Sequence, residues 1–119
     1  MSNDARSFYE QWASRIAHAK ANAPDAVKGF HALFQSVMKP GKVSALEKEF
    51  VAIGIGIALR CDACIYAHVE KAMDAGATRE QVMEIAGVAV MMQGGPGYTY
   101  LPKVVEALDA LEPAEVLQE

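Results

Sequence analysis

The sequence predicts an all-α protein, a compact bundle of about six helices with a Cys-x-x-Cys at the start of a central one. Three observations carry that prediction. Apolar residues recur at helical spacing in successive segments of the chain. Two capping boxes, Ser44-Ala45-Leu46-Glu47 and Thr78-Arg79-Glu80-Gln81, each open one of those segments. Helix breakers stand between the segments, at Pro24, Pro40-Gly41, Gly76 and Gly94-Gly95-Pro96-Gly97, and no stretch reads convincingly as a strand.

Residues 3–21 place Phe8, Trp12, Ile16 and Ala19 on one face of a first helix, with Ser2 or Asn3 as its N-cap. His18, among Arg15, Lys20 and Asn22, reads as a solvated surface histidine. Pro24 suits the first turn of a second helix, with Asp25 near its positive end. Val27, Phe30, Leu33, Phe34, Val37 and Met38 give that helix a broad apolar face, bordered by His31 as a packed or interface histidine. Ser44 caps a third helix that is apolar nearly all round and is therefore expected to be buried. Its β-branched residues also permit a strand, but the capping box and the flanking helices favour helix. Gly54 and Gly56 cost it roughly 1 kcal/mol each relative to Ala, tolerable where another backbone approaches closely. A break near Arg60 lets a fourth helix start at or just before Cys61 and run to a Gly76 C-cap. A fifth follows Thr78, carrying Val82, Ile85, Ala86, Ala89, Val90 and Met91. The last starts near Tyr98 or Thr99, with Pro102 in its first turn, and continues through Val104, Val105, Leu108 and Leu111. The tail after Pro113 is expected to fray. Met91, Met92, Tyr98 and Tyr100 read as core or subunit contact, with an apolar pocket beside the glycine turn as the alternative.

A chain of 119 residues fits one domain, 1–119. Its hydrophobic content, 52%, is slightly rich for so small a unit and suggests burial against another subunit. The net charge of -4, with no basic patch, argues against nucleic acid as partner. The first residues are polar and acidic, unlike an export signal, and the longest apolar run, residues 50–59, is about half the ~20 residues a membrane span needs. The expectation is a cytoplasmic protein with no membrane partner. In a reducing compartment a Cys-x-x-Cys is more often redox-active or metal-binding than a permanent staple.

The chemistry-bearing residues gather in one stretch. Cys61 and Cys64 are the only two cysteines, and His68 follows the second by four residues. On a helix all three share one face. Cys61 is expected at the helix N-terminus, a position that can lower a thiol pKa. Cys64 sits one turn in, where its thiol can meet Cys61 and close a disulfide. His68, a further turn along, can take the Cys64 proton or give one to a leaving group. Glu49 lies across a break; if the third and fourth helices pack antiparallel, it returns toward His68 and orients the imidazole. Asp62 opposes this arrangement, because its charge raises a nearby thiol pKa unless it points to solvent.

Two other readings compete for these residues. Two thiolates and an imidazole can bind zinc with Glu49 as fourth ligand, although structural zinc sites usually draw on two hairpins and the chain has no second Cys-x-x-Cys. The other is a pair of buried, inert cysteines in an oligomeric interaction protein. The redox reading is preferred, with no metal and no cofactor.

Glu49, then Cys61-x-x-Cys64-x-x-x-His68, resembles the alkylhydroperoxidase D-like group of the carboxymuconolactone decarboxylase superfamily. Leu46-Glu47-Lys48-Glu49, Ala75-Gly76-Ala77-Thr78 with Glu80-Gln81-Val82, and Met92-Gln93-Gly94-Gly95 extend the likeness over residues 30–108. The resemblance implies an all-helical homo-oligomer, a trimer or a hexamer built from dimers. It implies thiol-dependent reduction of hydroperoxides or protein disulfides, with Cys61 and Cys64 as redox pair, Glu49 and His68 as proton relay, and an external dithiol or redox partner protein as reductant. In well-known members a relay histidine precedes the second cysteine. Here that residue is Ala63, which shifts the expectation from efficient peroxidase activity toward dithiol chemistry. The decarboxylase branch lacks the cysteine pair, so lactone decarboxylation ranks low. The expected order is thiolate attack on peroxide oxygen, a sulfenic acid, a Cys61–Cys64 disulfide and reduction by exchange. Cys64 is favoured as attacker by its place beside His68, and Cys61 by its helix-terminal exposure.

Overall fold

The computed structural model describes residues 4–112, so the expected caps at Ser2 and Asn3 and the tail after Pro113 lie outside the described residues. Every element is helical: α1 (Asp4–Asn22), α2 (Pro24–Met38), α3 (Ala45–Ala58), α4 (Asp62–Asp74), α5 (Arg79–Gln93), α6 (Gly95–Tyr98) and α7 (Leu101–Leu111). Six are full helices; α6 is a single turn of four residues. Among the described residues no helix is long and apolar enough to cross a membrane.

The helix starts follow the local chemistry. Ser44 Oγ accepts from the Glu47 N–H at 3.0 Å, and the Ser44 N–H donates to Glu47 Oε1 at 3.0 Å. Thr78 and Gln81 repeat the exchange at 3.1 and 2.9 Å. Both capping boxes therefore satisfy donors that a helix start leaves unpaired. Gly76, at φ 105°, ends α4 in the left-handed conformation open to glycine.

The end of α3 is less ordinary. Arg60 N–H donates to Ile57 O and Cys61 N–H to Gly56 O, both at 3.0 Å, which is the double bond of a Schellman turn. The left-handed position falls on Arg60, at φ 54°, where glycine is the usual occupant. This turn reverses the chain within three residues, so α4 runs back antiparallel along α3.

The core lies where these two helices meet α5 and α7. Ile53 and Ile57 of α3, Ile65 and Val69 of α4, Val82 of α5 and Val104 and Leu108 of α7 are fully or almost fully buried. Arg79 at the start of α5 ties down the end of α7 through Asp109 at 2.8 Å and Glu112 at 2.6 Å. From α1, Ala5 is buried and the Tyr9 hydroxyl donates to Tyr66 O at 2.6 Å. Burial pushes the Tyr9 pKa up, holding the phenol neutral as a donor.

The structure departs from the sequence expectations in three places. α3 is buried on one side only: Ile53, Gly56 and Ile57 face the core, whereas Val51, Ile55 and Leu59 are more than half exposed. An all-round apolar helix needs neighbours on every side, and α4 and α5 cover only part of it. The apolar face of α2 contributes no buried residue, with Phe30, Leu33 and Val37 exposed. Of the four residues read as core or subunit contact, Tyr100 packs against the core, and Met91, Met92 and Tyr98 are exposed on the single chain, as subunit contacts would be. Finally, the last helix starts at Leu101; the glycine run forms the separate turn α6, and Pro102 keeps its first-turn place.

Of the two glycines in α3, only Gly56 has a packing reason within the chain. A Cβ there would lie 3.3 Å from Cys64 Cβ and 3.4 Å from the Ile65 backbone nitrogen, whereas at Gly54 it would meet nothing within 4 Å. Gly56→Ala is expected to lower stability by about 1 kcal/mol, overpacking outweighing the gain in helix propensity. Urea unfolding measures it, and a stabilised variant would show that α4 can move away.

Candidate active site

The Schellman turn delivers Cys61 as the N-cap of α4. Its Sγ accepts from the Cys64 backbone N–H at 3.2 Å, so the sulfur sits where a serine or aspartate oxygen caps other helices. Cys64 lies in the first turn of α4. The two are joined by a disulfide, with Cα atoms 5.2 Å apart. In the reduced protein the same N–H and the positive helix end favour a thiolate on Cys61.

Asp62 stands between the cysteines, but its charge is answered. Asp62 Oδ2 lies 3.1 Å from Lys103 Nζ of α7. The Asp62 hydrogen bond is the main cause raising the Lys103 pKa, keeping the lysine cationic. The acidic residue that would oppose thiolate formation is therefore paired with a lysine from another helix.

The antiparallel path of α3 and α4 brings Glu49 opposite His68. His68 Nδ1–H donates to Glu49 Oε1 at 2.7 Å, with 18% and 9% of the two side chains exposed. A carboxylate on Nδ1 fixes the tautomer and leaves the Nε2 lone pair as the available base. On another side the His68 ring stacks on Phe34 of α2, centroids 5.9 Å apart and planes 17° from parallel. His68 is thus held by two different helices, α3 and α2.

The structure brings all four expected site residues to one region. Cys61 and Cys64 share the disulfide, Glu49 and His68 share the hydrogen bond, and Cys64 and His68 border one cavity of about 650 Å³ between α1, α2 and α4. Cys61 does not line it. Its walls include Phe8, Trp12, Ile16, Val27, Phe30 and Phe34, and Ala63 lies beside Cys64. His31, read earlier as a packed or interface residue, also borders this space and is exposed. His18 is exposed on α1. Phe34, Trp12 and Lys103 were missed as site residues. Each comes from a different helix, and no local spacing ties it to the Cys-x-x-Cys. Among the described residues no three His, Cys, Asp or Glu side chains are grouped as a metal ligand set.

An all-α fold with a dithiol-disulfide pair at a helix N-terminus defines a narrow class of protein. The chain belongs to the carboxymuconolactone decarboxylase family, whose model matches residues 24–112. Fold and cysteine pair agree with the alkylhydroperoxidase D-like resemblance within that superfamily. The chain is 33% identical to an uncharacterized protein from Cupriavidus necator, over 74% of this chain and 78% of that one. It is 34% identical to uncharacterized protein 4 in the cox locus of Paracoccus denitrificans, over 82% and 86%. Among solved structures, a carboxymuconolactone decarboxylase family protein from Legionella pneumophila superposes with a TM-score of 0.79 at 31% identity, covering 92% of this chain and 95% of that one. A family member from Thermotoga maritima, with a suggested involvement in antioxidative response, gives 0.71 at 26% identity, covering 88% and 96%.

Proposed function

We propose that the protein is a dithiol oxidoreductase that reduces organic hydroperoxides. The observation that carries this reading is the placement of Cys64 and His68 on one apolar cavity, with Cys61 bonded to Cys64 behind it. His68, oriented by Glu49, takes the Cys64 proton. The thiolate attacks the terminal peroxide oxygen and the O–O bond breaks. His68 gives that proton to the departing alkoxide, which leaves as the alcohol, and Cys64 becomes a sulfenic acid. The Cys61 thiol attacks that sulfur, releasing water and forming the disulfide. An external dithiol restores both thiols by exchange and is itself oxidised. Helix-end stabilisation makes Cys61 the better leaving thiolate, so the incoming dithiol attacks Cys64. The suggested antioxidative involvement of the Thermotoga maritima relative is in keeping with this chemistry.

The test is to treat fully reduced protein with one equivalent of cumene hydroperoxide and follow free thiols and intact mass. Loss of two thiols with a mass drop of two hydrogens is expected. Unreacted thiols would exclude hydroperoxides and move the reading to protein disulfides as substrate.

We also propose that the working form is a homo-oligomer, a trimer or hexamer. Val51, Ile55, Leu59, Val88, Met91 and Met92 are 53–75% exposed, a large apolar surface for a small soluble chain. Several of them line a groove between α3 and α5 with Gly54 open within it. Ile55→Glu is expected to shift the sedimentation coefficient to that of a smaller species. An unchanged value would remove this face from the interface.

A further inference from the structure

The cavity beside Cys64 carries information that the redox cycle does not use. Its volume, about 650 Å³, is far larger than a peroxide group needs and falls among sites that enclose whole organic ligands, about 300–1,000 Å³. Most of its wall is aromatic or aliphatic, from Phe8, Trp12, Ile16, Val27, Phe30 and Phe34. Two of these rings stay open to solvent, Trp12 at 45% and Phe30 at 61%, so the chain does not fill the space itself.

One cation borders this apolar space. Lys71 lines the cavity one turn beyond His68, its Nζ 5.3 Å from the centre of the Phe34 ring. Among the described residues no carboxylate lies within ion-pair distance of it. Glu70 also borders the cavity; it acts electrostatically on Tyr9, on the α1 side, whereas Lys71 lies over Phe34 of α2. The two charges thus mark different flanks. The segment that contains α2 is also basic in sequence. Residues 15–48 hold six basic side chains against two acidic ones, Asp25 and Glu47, in a chain of net charge -4.

From these observations we infer that the cavity binds an amphipathic carboxylate, its hydrocarbon chain among Phe8, Trp12, Ile16, Val27 and Phe30 and its carboxylate on Lys71. Resting on the peroxidase reading, the substrate is then the hydroperoxide of a medium- or long-chain carboxylic acid, anchored by Lys71 with its peroxide group near Cys64. Lys71 acts in recognition and takes no part in the sulfur chemistry.

Binding is read without turnover, because Trp12 is the single tryptophan and borders the cavity. The oxidised full-length protein is titrated with dodecanoate and with dodecanol, each below its aggregation threshold, following Trp12 fluorescence. Saturable binding of dodecanoate is expected, about threefold tighter than dodecanol, since only the carboxylate accepts a charge-assisted hydrogen bond from Lys71 and that lysine is exposed. Lys71→Gln should erase that ratio and Lys71→Arg should keep it. Equal binding of the two probes, no saturable response, or a ratio unchanged in Lys71→Gln would each overturn the inference. A second arm compares turnover of linoleic acid hydroperoxide with that of its methyl ester. Preference for the acid, lost in Lys71→Gln, supports the substrate assignment, and equal turnover overturns it. If cumene hydroperoxide is reduced but dodecanoate does not bind, the ligand class fails alone. If dodecanoate binds through Lys71 but no hydroperoxide oxidises the thiols, the peroxidase reading fails and the binding site stands.

Discussion

Cys64→Ser is expected to lower hydroperoxide reduction by at least about a thousandfold, the scale of loss when a covalent catalyst loses its nucleophile. Cys61→Ser should abolish turnover to the same degree but leave a different trace. The reason is geometric: Cys64 borders the cavity with His68, whereas Cys61 caps the helix and does not line it. Reduced Cys61→Ser protein should consume one equivalent of hydroperoxide and gain one oxygen, as a sulfenic acid with no partner to resolve it. Reduced Cys64→Ser protein should consume none at a comparable rate. Intact mass spectrometry, with dimedone to trap the sulfenic acid, reads both outcomes. The reverse pattern would make Cys61 the attacking residue. Full activity in both variants would end the dithiol scheme. Serine keeps the cysteine Cβ and nearly its size, and neither position belongs to the buried core, so both variants should fold.

How much of this was legible in the sequence depends on the range of the interaction involved. Helix starts depend on residues three apart, and both capping boxes stand where Ser44-Glu47 and Thr78-Gln81 placed them. The break near Arg60 was visible, but its form was not. A Schellman turn usually advertises itself with glycine, and here an arginine takes the left-handed position. The burial pattern was harder. Composition says that Val51, Ile55 and Leu59 are apolar but cannot say that α4 and α5 cover only the opposite side of their helix. The same limit applied to α2, whose periodic face meets open cavity and solvent more than core.

The site divided along the same line. Cys61, Cys64 and His68 lie within one helix and its cap, so spacing alone could align them. Lys103 answering Asp62, and Phe34 stacking on His68, are contacts over long sequence separations, with no local pattern to announce them. Gly56 falls between these cases. The sequence marked it as a costly residue inside a helix, and the structure supplies the reason: Cys64 and the α4 backbone press against it. The cavity itself was invisible, because its walls come from three helices whose relative placement is a tertiary fact.

His68→Ala should slow thiol oxidation by roughly 10²–10⁴-fold, the usual span for losing a general base. Glu49→Gln should cost less, since an amide oxygen can still accept from Nδ1–H at the 2.7 Å position but carries no charge to stabilise the imidazolium. The decisive result comes from combining the two changes. If Glu49 acts only through His68, the double variant should be no slower than His68→Ala alone, because residues working as one unit lose their effects together. Stability should move the other way. Truncating His68 strands a carboxylate whose side chain is only 9% exposed, and Glu49→Gln relieves that stranded charge. The double variant is therefore expected to unfold at higher urea than His68→Ala while reacting at the same rate. Added imidazole gives an independent reading, since the cavity beside His68 has room for a small base. It should restore part of the rate in His68→Ala and none in Cys64→Ser. Additive rate losses, or a His68→Ala variant that imidazole cannot rescue and that regains speed with stability, would reduce the Glu49–His68 pair to a structural contact between α3 and α4.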